Sequence, residues 1–171
     1  MLDALPESSD RHEIIDGDLF VTPAPGEAHQ DAAGELFMRL KLYLRGSDAA
    51  KTMFAPSDVW RGARRTNRVQ PDVFAVRRGA AYPLHLRDVH LVVEVASSGS
   101  LARDHHVKRD LYLHEGVPEY WVINIDARNV SRWRGRDDPG GVLSGHVEWR
   151  MDRAAQPFVL DLPEFFNEVV R

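Results

Sequence analysis

The amino-acid sequence predicts a mixed α/β (α+β) fold, in which a mixed β-sheet is flanked by helices and accompanied by additional β-hairpins. LVVEVAS, residues 91–97, is an almost unbroken β-branched run, as found in strands that are covered on both faces. A helix-like segment and a second apolar run, EYWVINI, follow it. Residues 91–96 and 120–125 are therefore predicted to be parallel strands of a right-handed βαβ unit.

The remaining elements follow from local patterns along the chain. HEIIDGDLFVT (12–22) has an Asp-Gly turn between two apolar runs and predicts a hairpin, and AHQDAAGELFMRLKLYLRG (28–46) predicts an amphipathic helix that Gly46 ends. MFAPSDVW (53–60) and VQPDVFAV (69–76) suggest another antiparallel pair around an arginine-rich turn. LARDHHVKRDLYLHEG predicts a helix that Gly116 ends, and NVSRWRG, HVEWRM and PFVLDL predict later, shorter strands.

Length and composition indicate one globular domain, residues 1–171, with a single core. No apolar run approaches the roughly 18 residues that a membrane span needs, and no secretory signal is apparent at the N-terminus. The absence of cysteine excludes disulfides, thiolate zinc sites and cysteine nucleophiles, and it fits a reducing compartment. We therefore expect a cytoplasmic protein with no membrane partner.

Charge is distributed unevenly along the chain. The formal net charge of −4 argues against a protein that coats itself in nucleic acid through bulk charge. Between residues 61 and 78, however, six arginines stand against one acidic residue, Asp72. This segment is either a solvated hairpin tip or a loop that contacts phosphates. In the second interpretation the nucleic-acid contacts are Arg61, Arg64, Arg65 and Arg68.

Two predicted strands carry a carboxylate, Asp72 in VQPDVFAV and Glu94 in LVVEVAS, and burying such a group is costly unless a cation or donors face it. Strand alternation lets both side chains converge on one point. Lys108, two turns into the next helix and on one face with Asp104, can reach the same sheet edge. Such a set could bind a hard divalent cation for phosphodiester hydrolysis. The alternative is structural: arginine pairs for the carboxylates and an i, i+4 pair of Lys108 with Asp104.

These residues lie in an ordered series of motifs: QPD, VEVAS, a helix with DHHVK, and YLHEGVPEYWVI. The series resembles the Uma family of restriction-endonuclease-like proteins, a branch of the PD-(D/E)XK nuclease superfamily. HEIIDG, the AHQ that opens the first helix and the closing FVLDLPEFF also have counterparts there, so the resemblance covers nearly the whole chain.

The resemblance implies a restriction-endonuclease-like core, with Asp72 and Glu94 as ligands of Mg²⁺ or Mn²⁺ and Lys108 as the catalytic lysine. The chain departs from the superfamily pattern at Ala96, where an ExK motif would have lysine. In the family that this sequence resembles, the lysine comes from the following helix, where Lys108 stands.

Three further residues have both a functional and a structural interpretation. Glu13 matches an acidic position near the family's N-terminus and is either a catalytic-site carboxylate or an ordinary hairpin residue. His29 is either a proton shuttle or phosphate contact, or a polar group at the start of a helix. Gln70 is an accessory candidate that could hold a water near the site.

The sequence thus predicts a metal-dependent endonuclease that hydrolyses phosphodiester bonds, with DNA as the expected substrate. A non-catalytic DNA-binding or interaction module that retains the nuclease fold is the alternative, and the acidic net charge favours it. Hydrolysis of a small phosphoester is disfavoured, because no Gly-rich phosphate-binding loop is present. Nucleases that cut both strands are often dimers, so a homodimer is an open alternative to a monomer.

Overall fold

A computed structural model describes residues 10–62, 67–96, 99–152 and 156–170 of the chain. The strands within these ranges are, in chain order, β1 (Arg11–Ile15), β2 (Asp18–Thr22), β3 (Ala50–Phe54), β4 (Val59–Arg61), β5 (Asn67–Val69), β6 (Val73–Arg77), β7 (Leu84–His85), β8 (Val89–Ala96), β9 (Tyr120–Asn124), β10 (Asn129–Trp133), β11 (Gly141–Leu143), β12 (His146–Trp149) and β13 (Phe158–Asp161). The helices are α1 (Glu27–Tyr43), α2 (Leu101–Arg103), α3 (Arg109–His114) and α4 (Leu162–Val169), with a π-helical turn at Asp104–Lys108 and a 3₁₀ turn at Leu86–Asp88.

A six-stranded mixed sheet forms the centre of the fold, with strand order β11-β10-β9-β8-β6-β3. Strands β8 and β9 are parallel, and the other neighbours in this sheet are antiparallel. The predicted βαβ unit is therefore confirmed. The predicted coverage of the first strand on both faces is confirmed as well, because seven of the eight residues of β8 are buried.

The two faces of the central sheet carry separate hydrophobic cores, so the single core predicted from the sequence is wrong: the sheet lies between two clusters of buried side chains. One core lies under α1, α4 and the β12–β13 hairpin, where Leu36 and Phe165 pack with Trp121 of the sheet. The other lies under α3 and a second sheet, where Tyr112 packs with Tyr120. None of the described helices is long and apolar enough to cross a membrane.

The second sheet has five strands in the order β2-β1-β5-β4-β7. The predicted hairpin forms β1 and β2, and its turn residues Asp16 and Gly17 adopt φ values of 51° and 93°, which the Asp-Gly pair tolerates. This hairpin joins a larger sheet instead of standing alone. Its partner β5 brings residues 67–69 alongside β1.

The predicted antiparallel pair of residues 53–60 and 69–76 is correct in direction but divides between the two sheets. β3 pairs with β6 in the central sheet, whereas β4 pairs with β5 in the second sheet. Pro56 and Pro71 lie at the two breaks, and proline cannot donate a ladder hydrogen bond, so neither stretch continues as one strand. Asp72 lies at this junction between the sheets.

The helices agree with the sequence except at the C-terminus. α1 and the helical stretch from 101 to 114 correspond to the two predicted helices. α4 was not predicted, although PFVLDL was correctly placed as a strand, β13. α4 packs on the same core as α1, through Leu162, Phe165 and Phe166.

Candidate active site

A cleft of about 400 Å³ opens where the two sheets and the helical stretch from 101 to 114 meet. Asp72, Glu94 and Lys108 all line it, together with His29 and Arg11. The structure therefore brings together the two carboxylates and the lysine that the sequence singled out. The roles assigned to them stay predictions.

Asp72 is buried and receives donors on both carboxylate oxygens. Arg11 Nη1 lies 2.6 Å from Oδ1 and His29 Nε2 lies 3.2 Å from the same oxygen, while the backbone N–H of Val95 donates to Oδ2 at 2.8 Å. Burial by itself would raise the pKa of Asp72, but His29 and Arg11 outweigh it and hold that pKa well below its ordinary range. Donors from the described residues use three of about four lone-pair sites, which leaves one on Oδ2.

Glu94 is equally buried, but fewer donors and cations offset the cost of burying its carboxylate. Tyr112 donates its hydroxyl to Glu94 Oε1 at 2.7 Å, and Lys108 Nζ lies 3.1 Å from the same oxygen. Burial raises the pKa of Glu94 to about 8; Lys108 opposes this shift and the negative charge of Asp72 adds to it. Ionising Glu94 therefore costs more free energy than ionising a solvent-exposed glutamate.

Lys108 lies at the centre of the acidic groups. Its Nζ is 3.0 Å from Glu13 Oε2, 3.1 Å from Glu94 Oε1 and 3.9 Å from Asp104 Oδ1. Burial would lower the pKa of Lys108, but the attraction of Glu94 and Glu13 exceeds that effect and raises the pKa above its ordinary value. Lys108 is therefore a permanent cation and cannot act as a base.

Glu13 reaches the site from the second sheet, on β1. It is completely buried, and its Oε1 accepts a hydrogen bond from the backbone N–H of Gln70 at 2.9 Å. The other oxygen faces Lys108 without making a hydrogen bond of good geometry. Asp104 Oδ1 is also buried and accepts no hydrogen bond from a described residue. Two buried carboxylate oxygens thus have spare capacity to accept a donor or a cation.

The sequence did not select two members of this group, Arg11 and Asp104. Arg11 lies two residues before Glu13 on the same strand, so strand alternation places both on one face. Asp104 lies one helical turn before Lys108 and was expected only as its structural partner. The spacing of Arg11 from Glu13 and of Asp104 from Lys108 could therefore have identified both residues from the sequence.

The other predicted contact residues lie in different places. Arg68 pairs with Asp58 at 3.1 Å, and the side-chain amide of Gln70 donates to Asp58 at 2.8 Å. Both line a second cleft, which shares Asp72 with the first. Arg61 lines neither cleft and is paired with Asp16 and Glu115. Arg64 and Arg65 fall in residues 63–66, outside the described part of the chain.

The acidic and basic side chains around the cleft determine whether it can bind a hard divalent cation. The described residues around the cleft include four buried carboxyl groups, Glu13, Asp72, Glu94 and Asp104, and three permanent cations, Arg11, Arg103 and Lys108. With histidine counted as neutral, these side chains carry a formal charge of −1 when all four carboxyls ionise, and the neighbouring carboxylates add to the burial that raises the pKa of Glu94.

The arrangement does not form a complete cage. Within the described residues, no three His, Asp or Glu side chains lie close enough together to hold a metal ion by themselves. Mg²⁺ is commonly held by only one or two carboxylates, with water and substrate phosphate completing its coordination. The excess negative charge and the unused lone pair on Asp72 Oδ2 fit such a site, with Asp72 and Glu94 as its two carboxylates.

Comparison with known proteins identifies the fold and the family of this chain. The chain has the fold of a crystal structure from Anabaena variabilis ATCC 29413, described as "a putative nuclease belonging to DUF820": the TM-score is 0.78, and the match covers 99% of this chain and 97% of that chain at 16% sequence identity. At that identity the likeness shows the fold alone.

The family model described as "Uma2: Putative restriction endonuclease" matches residues 1–164. The chain belongs to the Uma2 family. The family resemblance inferred from the motifs is thereby confirmed, and so is the predicted fold class. No protein among those with curated functions matches the chain.

Proposed function

We propose that this protein is an endonuclease that hydrolyses phosphodiester bonds in DNA and depends on Mg²⁺ or Mn²⁺. Membership of the Uma2 family supports the nuclease assignment. The observation that carries the finer proposal is the buried set of Asp72, Glu94 and Lys108 at the wall of one cleft, whose surroundings carry a formal charge of −1 when all four carboxyls ionise.

In this proposal Asp72 and Glu94 hold the cation. Asp72 offers the unused lone pair of Oδ2, and its other contacts fix the orientation of the carboxylate. Tyr112 fixes Glu94 through its hydroxyl, whose own pKa is raised by burial, so that it stays a donor. A bound cation of this kind would polarise the phosphate and acidify a water molecule.

Lys108 supplies a fixed positive charge beside the reacting phosphate. Because it is protonated, it can donate to a phosphate oxygen and stabilise the negative charge that develops there. Glu13 and Asp104 hold the ammonium group in place from the second sheet and from the preceding helical turn. They are positioning residues, since they act through Lys108.

The test is nicking of supercoiled plasmid by the purified protein in Mn²⁺ or Mg²⁺, with an EDTA control. We expect the parent to nick DNA only with the cation. Asp72→Asn and Lys108→Met should each be slower by about 10²-fold or more, because each removes an interaction on which the transition state depends.

Asp110→Asn is the matched control, because Asp110 is an exposed carboxylate two residues after Lys108. It should cut like the parent. Equal cutting by the parent and Asp72→Asn would show that the reaction does not take place in this cleft. A parent that binds DNA but never nicks it would favour the non-catalytic module instead.

A further inference from the structure

A second cleft of about 400 Å³ lies directly beside the proposed active site. It shares Arg11, Pro25, His29 and Asp72 with the first cleft, so these residues form a common wall between the two. A chain that passes over Asp72 can therefore occupy both clefts. The volume is within the range of pockets that hold small ligands.

The polar side of this second cleft suits a phosphate. Arg11 has five N–H donors, and its Nη1 donates to Asp72 and to the carbonyl of Gln70. Asp10 lines the same cleft, so the lining includes two arginines and two aspartates. Arg68 adds a second guanidinium to the lining, held by Asp58. Arginine donors of this kind recognise phosphate oxygens.

The lining of this cleft also includes apolar residues and an exposed aromatic ring. Phe54 is 53% exposed, although it packs against Phe37 with 4.4 Å between the ring centroids. Pro56 continues the apolar lining. An aromatic ring that is supported on one side, open to solvent and close to arginine donors is an arrangement on which nucleic-acid bases stack.

We infer that the second cleft binds the nucleotide adjacent to the scissile phosphate, with the base on Phe54 and the phosphate on Arg11. This inference rests on the proposed function of the first cleft and names its substrate class. A base can stack on Phe54 only after leaving its own duplex stack. The substrate strand is therefore unpaired on this side of the cut, so single-stranded or forked DNA is preferred over intact duplex.

The experiment measures binding of a fluorescein-labelled single strand and of the matching duplex, in EDTA so that no cleavage occurs. The parent should bind the single strand more tightly. Phe54→Ala should weaken single-strand binding by about fivefold to a hundredfold, the range found when one stacking aromatic is lost. Phe54→Trp should restore the affinity, and its added tryptophan fluorescence should be quenched by the bound strand.

Tyr82→Ala is the matched control, because Tyr82 is 69% exposed and lines neither cleft. Single-strand affinities that are equal in Phe54→Ala and Tyr82→Ala, with no quenching in Phe54→Trp, would overturn the inference even if plasmid nicking succeeds. The predicted Phe54 effect without any nicking would support the binding cleft and count against the nuclease proposal alone. The two failures are therefore distinguishable.

Discussion

Asp72 and Glu94 share a cleft and are equally buried, yet their pKa values are shifted in opposite directions. Desolvation penalises both charged forms. Asp72 is compensated by Arg11, by His29 and by a backbone N–H, whereas Glu94 shares Lys108 with Glu13 and otherwise has one phenol donor. The arrangement of donors, and not the degree of burial, therefore decides the direction of each pKa shift.

Removing each charge should change stability in opposite directions. The lowered pKa of Asp72 means that its carboxylate stabilises the fold above about pH 4 and that this contribution is lost as the pH falls through the folded-state pKa. The pKa of Glu94 is raised from 4.5 to about 8, so its ionisation costs stability progressively across that interval. At pH 8.5 in EDTA, Asp72→Asn should lower Tm and Glu94→Gln should raise it, by about 2–4 °C for each kcal/mol.

Thermal unfolding at pH 5 and pH 8.5 checks both signs. The gain in Glu94→Gln should be smaller at pH 5, where the folded parent already carries the proton. A Glu94→Gln protein that is less stable than the parent at both pH values would contradict the proposed cost of ionising Glu94. Asp110→Asn, at an exposed position, should stay close to the parent throughout.

At the scale of elements, the helical stretch from 101 to 114 places Asp104 and Lys108 on its buried side. A π-helical turn joins α2 to α3 at these residues, as is frequent at functional sites. Tyr120 donates its hydroxyl to the carbonyl of Asp104 at 2.9 Å and stacks on Trp133 of β10. The β10–β11 hairpin therefore supports the helix that carries the lysine.

The contact of Gly140 with Trp133 provides a test of this support. Gly140 has a φ of 81°, and a Cβ there would lie 2.1 Å from Trp133 Nε1. The indole is buried between neighbours and cannot move away easily. Gly140→Ala should therefore destabilise the protein by about 2 kcal/mol or more, through overpacking and a strained backbone.

Gly141→Ala is the matched control, because Gly141 has an ordinary φ and open space at its Cβ position. It should change the unfolding free energy by less than about 1 kcal/mol. Urea unfolding followed by far-UV circular dichroism measures both variants. Equal stabilities would show that the indole can shift and that the hairpin contact is not a constraint.

The unpredicted helix α4 carries its own signals in the sequence. Asp161 is its N-cap and accepts a hydrogen bond from the backbone N–H of Glu164, and Pro163 lies in the first turn. Leu162, Phe165 and Phe166 then follow with helical spacing. The helix has only eight residues, so its pattern was hidden beside the strand PFVLDL. Capping and periodicity together would have identified it.

At the scale of the whole molecule, the excess negative charge of the site couples cation binding to stability. A cation that binds only the folded protein raises Tm, and ligands must be deprotonated to bind it. Below pH 8 the proton on Glu94 competes with the cation, by about tenfold in apparent affinity for each pH unit. The rise in Tm with Mn²⁺ should therefore be larger at pH 8 than at pH 6.

Thermal unfolding of the parent with and without Mn²⁺ at the two pH values measures this effect. Glu94→Gln should lose most of the rise at pH 8 and most of its pH dependence, because Gln carries no titrating proton. Asp110→Asn should behave like the parent. If Mn²⁺ raised the Tm of the parent equally at both pH values, cation binding would not depend on the ionisation of Glu94.

Periodicity within single elements was readable from the sequence. The alternation of LVVEVAS fixed the face of Glu94, helical spacing placed Lys108 on the buried face with Asp104, and the βαβ pattern fixed the parallel strands. These properties follow from the periods of 2 and 3.6 residues, which are local to the chain. The ordered motifs also identified the family correctly.

Only the tertiary structure decided which elements face each other and what charge each group carries. Arg11 and Glu13 reach the site from the second sheet. Glu13 lies 59 residues before Asp72 in the sequence, and no local periodicity relates positions so far apart. The protonation of Glu94 depends on desolvation and on the distances to several charges, which exist only once both faces of the central sheet are packed. The sequence therefore determined the candidate residues and their faces, and packing between the sheets determined their chemistry.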